Sequence, residues 1–151
     1  MPLKLERSLK PELLRHLGFS RQKAAAIVEL SRAIVAGNLH RDGLVSLDDG
    51  AAVEQLCRRR GVGRWTAEYV LLRGLGRLHI FPGDDVGARN SLQQWLGLRN
   101  PLDYDGVHRL IGRWKPYAGL IYFHMLLYRL NETGYLRCDS SKSQGRTGEA
   151  Y

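Results

Sequence analysis

Apolar residues recur at helical spacing along most of the chain, and the interruptions fall at glycine, proline, Asp and Asn positions. Alternating strand patterns are nearly absent, so the sequence predicts an all-α fold. Ser8 is a candidate N-cap for the first helix, residues 40–46 are expected to form a loop, and residues 79–83 are expected to run extended. Helices are predicted over residues 9–17, 21–36, 48–59, 65–75, 86–96, 104–114 and 117–130.

The C-terminal part of the chain combines a very apolar helix with a polar tail. Residues 117–130 are apolar on nearly all sides, so this helix is expected to be buried. Residues 132–151 are rich in Ser, Gly, Lys and Arg, which predicts a disordered basic tail. Residues 1–131 would then form one domain, because 151 residues suffice for a single core.

Positive charge makes nucleic acid the expected partner of this helical domain. The chain carries 23 Lys and Arg against 15 Asp and Glu, a formal net charge of +8, and such a field attracts polyanions. Solubility alone is the alternative interpretation. The longest apolar stretch, residues 117–128, is too short to cross a bilayer. The expected location is the cytoplasm, with the nucleoid, in a prokaryote, or the nucleus in a eukaryote.

A glycine-rich corner between two predicted helices carries the strongest local signal. Gly61-Val62-Gly63 breaks a helix, and a second helix begins directly after it. Free N–H groups at the start of that helix favour a phosphate. Six arginines and one acid, Glu68, lie between Arg58 and Arg77. A plain helix–turn–helix corner is the alternative, and the arginine cluster favours DNA.

About twenty residues further on, two adjacent carboxylates stand at a predicted helix start. A Pro82-Gly83 turn delivers Asp84 and Asp85 to the N-terminus of the helix that begins at residue 86. The helix dipole favours an ionised carboxylate there. Asp is also a common N-cap, so capping alone is the competing interpretation.

These segments together resemble a known family of DNA repair proteins. Residues 61–69, 72–74 and 81–87 are similar to the helix-hairpin-helix-Gly/Pro-Asp superfamily of DNA glycosylases, and most similar to its 3-methyladenine DNA glycosylase II branch. Residues 113–117 also resemble that branch, and the resemblance covers about residues 13–130. It implies a helical bundle that contains a helix-hairpin-helix motif, the C-terminal part of a DNA-glycosylase domain. The implied function is base-excision repair of alkylated purines such as 3-methyladenine in double-stranded DNA.

The resemblance also implies roles for individual residues. The sequence that follows Asp85 matches the family when Asp85 is catalytic, and Asp84 then supports the turn. The aromatic candidates for the base pocket are also candidates for core packing, the two being equally plausible for Trp65 and Tyr117. The implied DNA-binding residues are Gly61, Val62, Gly63, Arg64 and Thr66, and the implied base-pocket residues are Trp65, Trp114 and Tyr117.

Cofactor expectations follow from the same resemblance. Bifunctional relatives carry a lysine where this chain has Trp65, so a monofunctional enzyme is expected. Some relatives bind an iron–sulfur cluster through four cysteines, and the two here, Cys57 and Cys138, do not suffice. No cofactor is expected to be required. The family's hairpin can hold an alkali ion, which by position would contact the backbone carbonyls of Cys57, Arg59 and Val62.

The chain departs from the family at its N-terminal end. Family members carry further helices before the position of Leu13, which form a wall of the base pocket. Three interpretations stay open: a fragment, a chain completed by a protein partner or by self-association, and a DNA-binding remnant. The alternative function is therefore a non-catalytic helix-hairpin-helix DNA-binding fragment, and a helical protein that binds another protein is a third possibility.

Overall fold

The regular elements of the protein are helices throughout the part that the structure describes. The computed structural model describes residues 10–134. A 3₁₀ turn, Gly112–Trp114, follows the seventh α-helix. The all-α prediction is thereby confirmed. The helices are α1 Pro11–His16, α2 Arg21–Val35, α3 Arg41–Val45, α4 Asp49–Cys57, α5 Arg64–Gly74, α6 Val86–Trp95, α7 Tyr104–Ile111 and α8 Ala118–Glu132.

Short polar side chains start several of these helices. Ser20 accepts a hydrogen bond from the Lys23 N–H at the start of α2, and Asp48 accepts one from the Ala51 N–H at the start of α4. Each bond satisfies one of the N–H groups that a helix N-terminus leaves free. Helix α1 instead begins at Pro11. The predicted cap Ser8 and most of the predicted tail lie outside the described residues.

Helix α3 lies where the sequence analysis predicted a loop, and that prediction was wrong. The Arg77 guanidinium donates to the carbonyl oxygens of Leu44 at 3.0 Å and Leu47 at 2.8 Å, at the C-terminal end of α3. Leu44 is also buried. Because a distant arginine and the core stabilise this single turn, residues 41–45 carry no strong local signal for a helix.

Helix α5 lies between two hydrophobic clusters. Leu71 belongs to the cluster that α2, α3 and α4 build, and Leu72 belongs to the cluster that α6, α7 and α8 build. Both leucines are essentially inaccessible to solvent. Burial of two such side chains contributes several kcal/mol, roughly 1.5–3 kcal/mol for each. The position of α5 is therefore fixed from two sides.

Helix α8 is only partly buried, which corrects the prediction that this helix is buried. Its inner face carries Tyr122 and Met125. On the outer face Leu120, Leu127 and Tyr128 remain 45%, 52% and 46% exposed. The helix packs against α6, and the Tyr128 ring meets the edge of the Trp95 ring of α6 at 5.7 Å. None of the described helices has the length and apolar character needed to cross a membrane.

Candidate active site

The corner between α4 and α5 is a tight hairpin that requires glycine. Gly61 has φ +81°, and a Cβ atom there would lie 2.5 Å from the Ala26 Cβ of α2. An L side chain would be strained in this conformation and would also clash. Val62 is buried and anchors the turn in the core, and its N–H donates to the Arg59 carbonyl at 3.1 Å. The hairpin is thus held rigidly at the N-terminus of α5.

The start of α5 is an open helix N-terminus. Its N-cap, Gly63, supplies no side-chain hydrogen bond to the first turn. Gly63 and Arg64 are exposed, and Thr66 is half-buried. Uncapped N–H groups together with the positive end of the helix dipole favour an anion such as a phosphate. Four of the predicted DNA-binding residues, Gly61, Gly63, Arg64 and Thr66, therefore lie at one accessible corner, whereas Val62 faces the core.

The arginine cluster divides into exposed and structural members. Arg59 donates to the Asn38 carbonyl at 2.9 Å. Arg77, whose side chain is only 14% exposed, pairs with Asp49 at 2.7 Å. These two arginines tie helices together and contribute little accessible charge. The exposed members are Arg58, which pairs with Glu54 at 2.8 Å, Arg60 and Arg64 at the hairpin, and Arg73 in the last turn of α5.

Asp85 forms the N-cap of α6 and receives three hydrogen bonds. Its Oδ1 accepts from the Ala88 N–H at 2.9 Å. Its Oδ2 accepts from the Tyr122 hydroxyl at 2.6 Å and from the Trp65 indole Nε1 at 3.3 Å. The Asp therefore serves both as a helix cap and as a half-buried carboxylate bound by two aromatic side chains from α5 and α8.

The surroundings of Asp85 favour its ionised form. Burial raises the pKa of Asp85, but the hydrogen bonds from Tyr122, from the Ala88 N–H and from Trp65 lower it more, so the pKa lies below its ordinary value. Burial and the Asp85 charge raise the pKa of the Tyr122 hydroxyl, which stays protonated and can donate. At neutral pH the site thus presents a fixed negative charge.

Asp84, the competing carboxylate, has different partners. Its Oδ2 lies 3.8 Å from the Arg64 Nε, and the Arg64 guanidinium lies over the Tyr104 ring at 4.4 Å from its centroid. Asp84 therefore interacts with the hairpin surface, while Asp85 caps α6 and faces the aromatic side chains.

Aromatic rings line the approach to Asp85. Trp65 is 42% exposed, and its ring stacks on Tyr69 with centroids 5.6 Å apart. Tyr69 in turn meets the edge of Tyr122 at 6.0 Å. Trp65 is thus an accessible ring beside the carboxylate. A cavity of about 10 Å³, about the space of one water molecule, adjoins the site and is lined by Asp85, Ala88, Tyr122, Met125, Leu126 and Arg129.

The other two predicted base-pocket residues lie apart from this cluster. Trp114 packs against the core of α6, α7 and α8, and the Arg113 guanidinium covers its ring at 4.4 Å. Tyr117 is 61% exposed at the start of α8. The hydrogen bonds and ring contacts within residues 10–134 do not join either of them to Trp65 or Asp85.

Sequence reasoning missed three residues of the site. Tyr69 could have been found, because it follows Trp65 by four positions on α5 and therefore shares its face. Tyr122 lies in an apolar helix where every aromatic residue looks like core. Glu68, noted in the sequence as an isolated acid among arginines, is buried below the turn that precedes Asp85.

The hairpin also offers oxygen donors of the kind that an alkali ion needs. Among the turn, loop and cap hydrogen bonds of residues 10–134, no backbone N–H donates to the carbonyl oxygen of Cys57 or Val62. The Arg59 carbonyl accepts one such hydrogen bond, from the Val62 N–H. Neutral carbonyl oxygens are suitable ligands for a hard cation. These carbonyl oxygens are therefore the groups that would hold such an ion.

Comparison with known proteins establishes the family. Residues 6–116 match the family described as HhH-GPD superfamily base excision DNA repair protein. The chain belongs to this superfamily. The family predicted from residues 61–69 and 81–87 is thereby confirmed. Asp85 and Trp65 lie on the matched part of the chain, and Tyr122 lies beyond its C-terminal end.

Individual superfamily members give a more detailed comparison. A Bacillus subtilis protein, provisionally named a DNA-3-methyladenine glycosylase, is 34% identical over 116 residues, which are 77% of this chain and 40% of that protein. DNA-3-methyladenine glycosylase 2 of Escherichia coli is 30% identical over 115 residues, 76% of this chain and 38% of that protein. The chain thus spans about two-fifths of the length of these relatives.

A solved structure confirms the fold. The Schizosaccharomyces pombe 3-methyladenine DNA glycosylase, solved in complex with abasic DNA, superposes with a TM-score of 0.72 at 23% identity. The superposition covers 82% of this chain and 60% of that one. The predicted glycosylase-type helical bundle is therefore the observed architecture.

Proposed function

We propose that this chain carries the active site of a base-excision DNA glycosylase, which hydrolyses the N-glycosidic bond of alkylated purines such as 3-methyladenine. The observation that carries the proposal is the Asp85 carboxylate, held by the Tyr122 hydroxyl and the Trp65 indole. Trp65, in the first turn of α5, joins this carboxylate to the open helix N-terminus at the hairpin. The relatives named above support the substrate class.

Asp85 supplies the charge that this reaction requires. As the bond from sugar carbon C1′ to the purine nitrogen breaks, its electron pair goes to the cationic purine, which leaves neutral, and positive charge builds on the sugar. The Asp85 carboxylate stabilises that charge, as carboxylates do in glycoside hydrolysis. A water oxygen then bonds to C1′, and its proton passes to solvent by way of the carboxylate. The product is an abasic site.

Trp65 and Tyr69 are the groups that would hold the extruded base. A damaged base must leave the stack to reach Asp85, and an alkylated purine carries positive charge that aromatic faces attract. The two stacked rings lie beside the carboxylate. The hairpin would meanwhile bind the backbone phosphates, so binding should weaken with salt.

The same proposal includes a monofunctional reaction without a required cofactor. Trp65 stands where bifunctional relatives have a lysine, so no Schiff base with the sugar is expected. Borohydride should therefore trap no covalent complex between the chain and damaged DNA. The carbonyls of Cys57, Arg59 and Val62 would hold an alkali ion, which supplies a positive charge for a DNA phosphate.

Release of 3-methyladenine from alkylated duplex DNA tests the proposal. The wild-type chain should release the base above the spontaneous rate, and Asp85→Asn should release it at the spontaneous rate while its affinity for DNA is retained. Release by Asp85→Asn at the wild-type rate would refute the role of the carboxylate.

A non-catalytic DNA-binding fragment remains the second candidate. The observation in its favour is that Trp114 and Tyr117, two of the three base-pocket residues that the family resemblance implies, lie apart from the Asp85 site. This candidate predicts salt-dependent binding to duplex DNA by the wild-type chain and by Asp85→Asn, with base release by neither.

A further inference from the structure

Below the turn that leads to Asp85 lies a buried carboxylate that the proposed reaction does not use. Glu68, on the inner face of α5, is only 4% exposed. Among residues 10–134 it is the one charged residue that is buried. Burying a carboxylate is costly unless it is well bonded, so its partners indicate what it does.

One partner of Glu68 is the backbone of the catalytic turn. The Gly83 N–H donates to Glu68 Oε2 at 3.1 Å. Gly83 stands two residues before Asp85, and the Phe81 and Pro82 side chains that precede it are fully buried. The bond therefore joins the turn that carries the catalytic Asp directly to the helix that carries Trp65 and the hairpin.

Side chains of α7 close the other side of the turn. The Tyr104 hydroxyl donates to Glu68 Oε1 at 2.5 Å, and His108 Nε2 lies 4.0 Å from the same oxygen. A Cβ on Gly83 would lie 2.9 Å from His108 Nε2 and 3.0 Å from Tyr104 Cδ2. The Gly83 peptide is thus held between α5 and α7, with no room for a side chain.

We propose that Glu68 is a positioning residue, which sets the direction of the Asp85 carboxylate by holding the Gly83 N–H. This inference rests on the proposed function for its consequence on base release. The role needs a hydrogen-bond acceptor and not a negative charge, because the Gly83 N–H is a neutral donor. The Tyr104 hydroxyl orients the Glu68 side chain from the other oxygen.

The distinction between acceptor and charge provides a matched pair of variants. Glu68→Gln keeps an amide oxygen for the Gly83 N–H, and its amino group can donate to the Tyr104 oxygen. Glu68→Ala removes the acceptor. Both variants lose the charge equally, so their difference reports the lost acceptor together with the buried volume that alanine does not fill.

Two readouts separate positioning from general stability. In single-turnover release of 3-methyladenine, Glu68→Ala should be slower than wild type by about 10- to 100-fold, since a small misplacement of a reacting group has effects of this size. The rate of Glu68→Gln should stay within about threefold of wild type, and the DNA dissociation constant should be unchanged in both variants.

The second readout is an NMR titration of the Asp85 carboxyl carbon, assigned with Asp85→Asn. The midpoint of this titration should move to higher pH in Glu68→Ala, because the loosened turn weakens the hydrogen bond from the Tyr122 hydroxyl to Asp85. In Glu68→Gln the midpoint should stay where it is in wild type.

The outcomes are distinguishable from failure of the proposed function. Equal behaviour of Glu68→Gln and Glu68→Ala, in rate and titration, overturns the positioning role. An unchanged Asp85 titration in Glu68→Ala overturns it as well, whether or not the wild type releases a base. If Glu68→Ala does not fold, Glu68→Met provides the second variant. Its side chain fills a similar volume without a strong acceptor for the Gly83 N–H, so it should shift the titration in the same direction, and an unchanged titration there counts against the role.

Discussion

Removing one hydroxyl group, in Tyr122→Phe, should change the pH dependence of the site without changing its shape. The ring of Tyr122 is 3% exposed and packs edge-on against Phe81, with centroids 5.4 Å apart. Phe fits that space, so the free energy of unfolding should change little. The group that is lost is the donor at 2.6 Å from Asp85 Oδ2.

The size of the effect follows from the geometry of that bond. A hydrogen bond to a charged group contributes roughly 1.5–3 kcal/mol. In the variant, Asp85 Oδ2 keeps the longer hydrogen bond from Trp65, at 3.3 Å, and the half-buried carboxylate gains some contact with water. Because these interactions offset part of the loss, the lower end of the range applies. About 1.4 kcal/mol corresponds to a tenfold change in a protonation equilibrium. The pKa of Asp85 is lowered in the folded protein; the variant should therefore lose its ionised carboxylate at a pH about one unit higher than wild type.

A pH profile of single-turnover base release tests this expectation. The rates are measured on alkylated duplex DNA from about pH 3 upward, in steps of about half a pH unit. The acid limb of the profile should move upward in Tyr122→Phe, while release at neutral pH stays similar, because Asp85 is ionised there in both proteins. Tyr128→Phe is the matched control, since this exposed hydroxyl lies on the same helix away from the site. An acid limb at the same pH in all three proteins would refute the reasoning.

Three further predictions concern stability and DNA binding. Leu71→Ala should lower the free energy of unfolding by about 2–5 kcal/mol in urea titrations, because its side chain is fully buried; a loss below about 1 kcal/mol would contradict this packing. For Asp49, burial raises the pKa but the bonds from His79 and Arg77 lower it more. The stability that Asp49 contributes is therefore present above the ordinary Asp pKa and lost as the pH falls through the lowered one. Asp49→Asn should be less stable than wild type by about 1 kcal/mol or less at neutral pH, given its exposure, and equally stable in acid; a difference independent of pH would argue against the ion pair. Arg64→Ala should weaken binding to duplex DNA and reduce the slope of log Kd against log salt by about one, and an unchanged slope would place Arg64 away from the phosphates.

The parts of the site that sequence predicted are those set by short-range rules. The helix break at Gly61 and the helix start at Asp85 are each signalled by residues within three or four positions. An Asp side chain that accepts the N–H three residues on, as Asp85 does from Ala88, is a local event. Family resemblance then selected Asp85 over Asp84. In the structure Asp85 accepts from Tyr122, whereas Asp84 lies beside Arg64.

The parts that sequence could not predict depend on long-range contacts. Tyr122 meets Asp85 across 37 positions, and Tyr104 meets Glu68 across 36. Which aromatic residue of an apolar helix faces a carboxylate is decided by how α8 packs, and periodicity does not contain that information. The same reason explains helix α3, which Arg77 stabilises from more than thirty residues away.

The central claim is that one carboxylate, Asp85, carries the chemistry of base release. The most direct test compares wild type, Asp85→Asn and Asp84→Asn in single-turnover release of 3-methyladenine, at a DNA concentration where all three are bound. The account predicts release by wild type and Asp84→Asn and only the spontaneous rate with Asp85→Asn. Loss of release in Asp84→Asn with retention in Asp85→Asn, or no release by any of the three bound proteins, would contradict it.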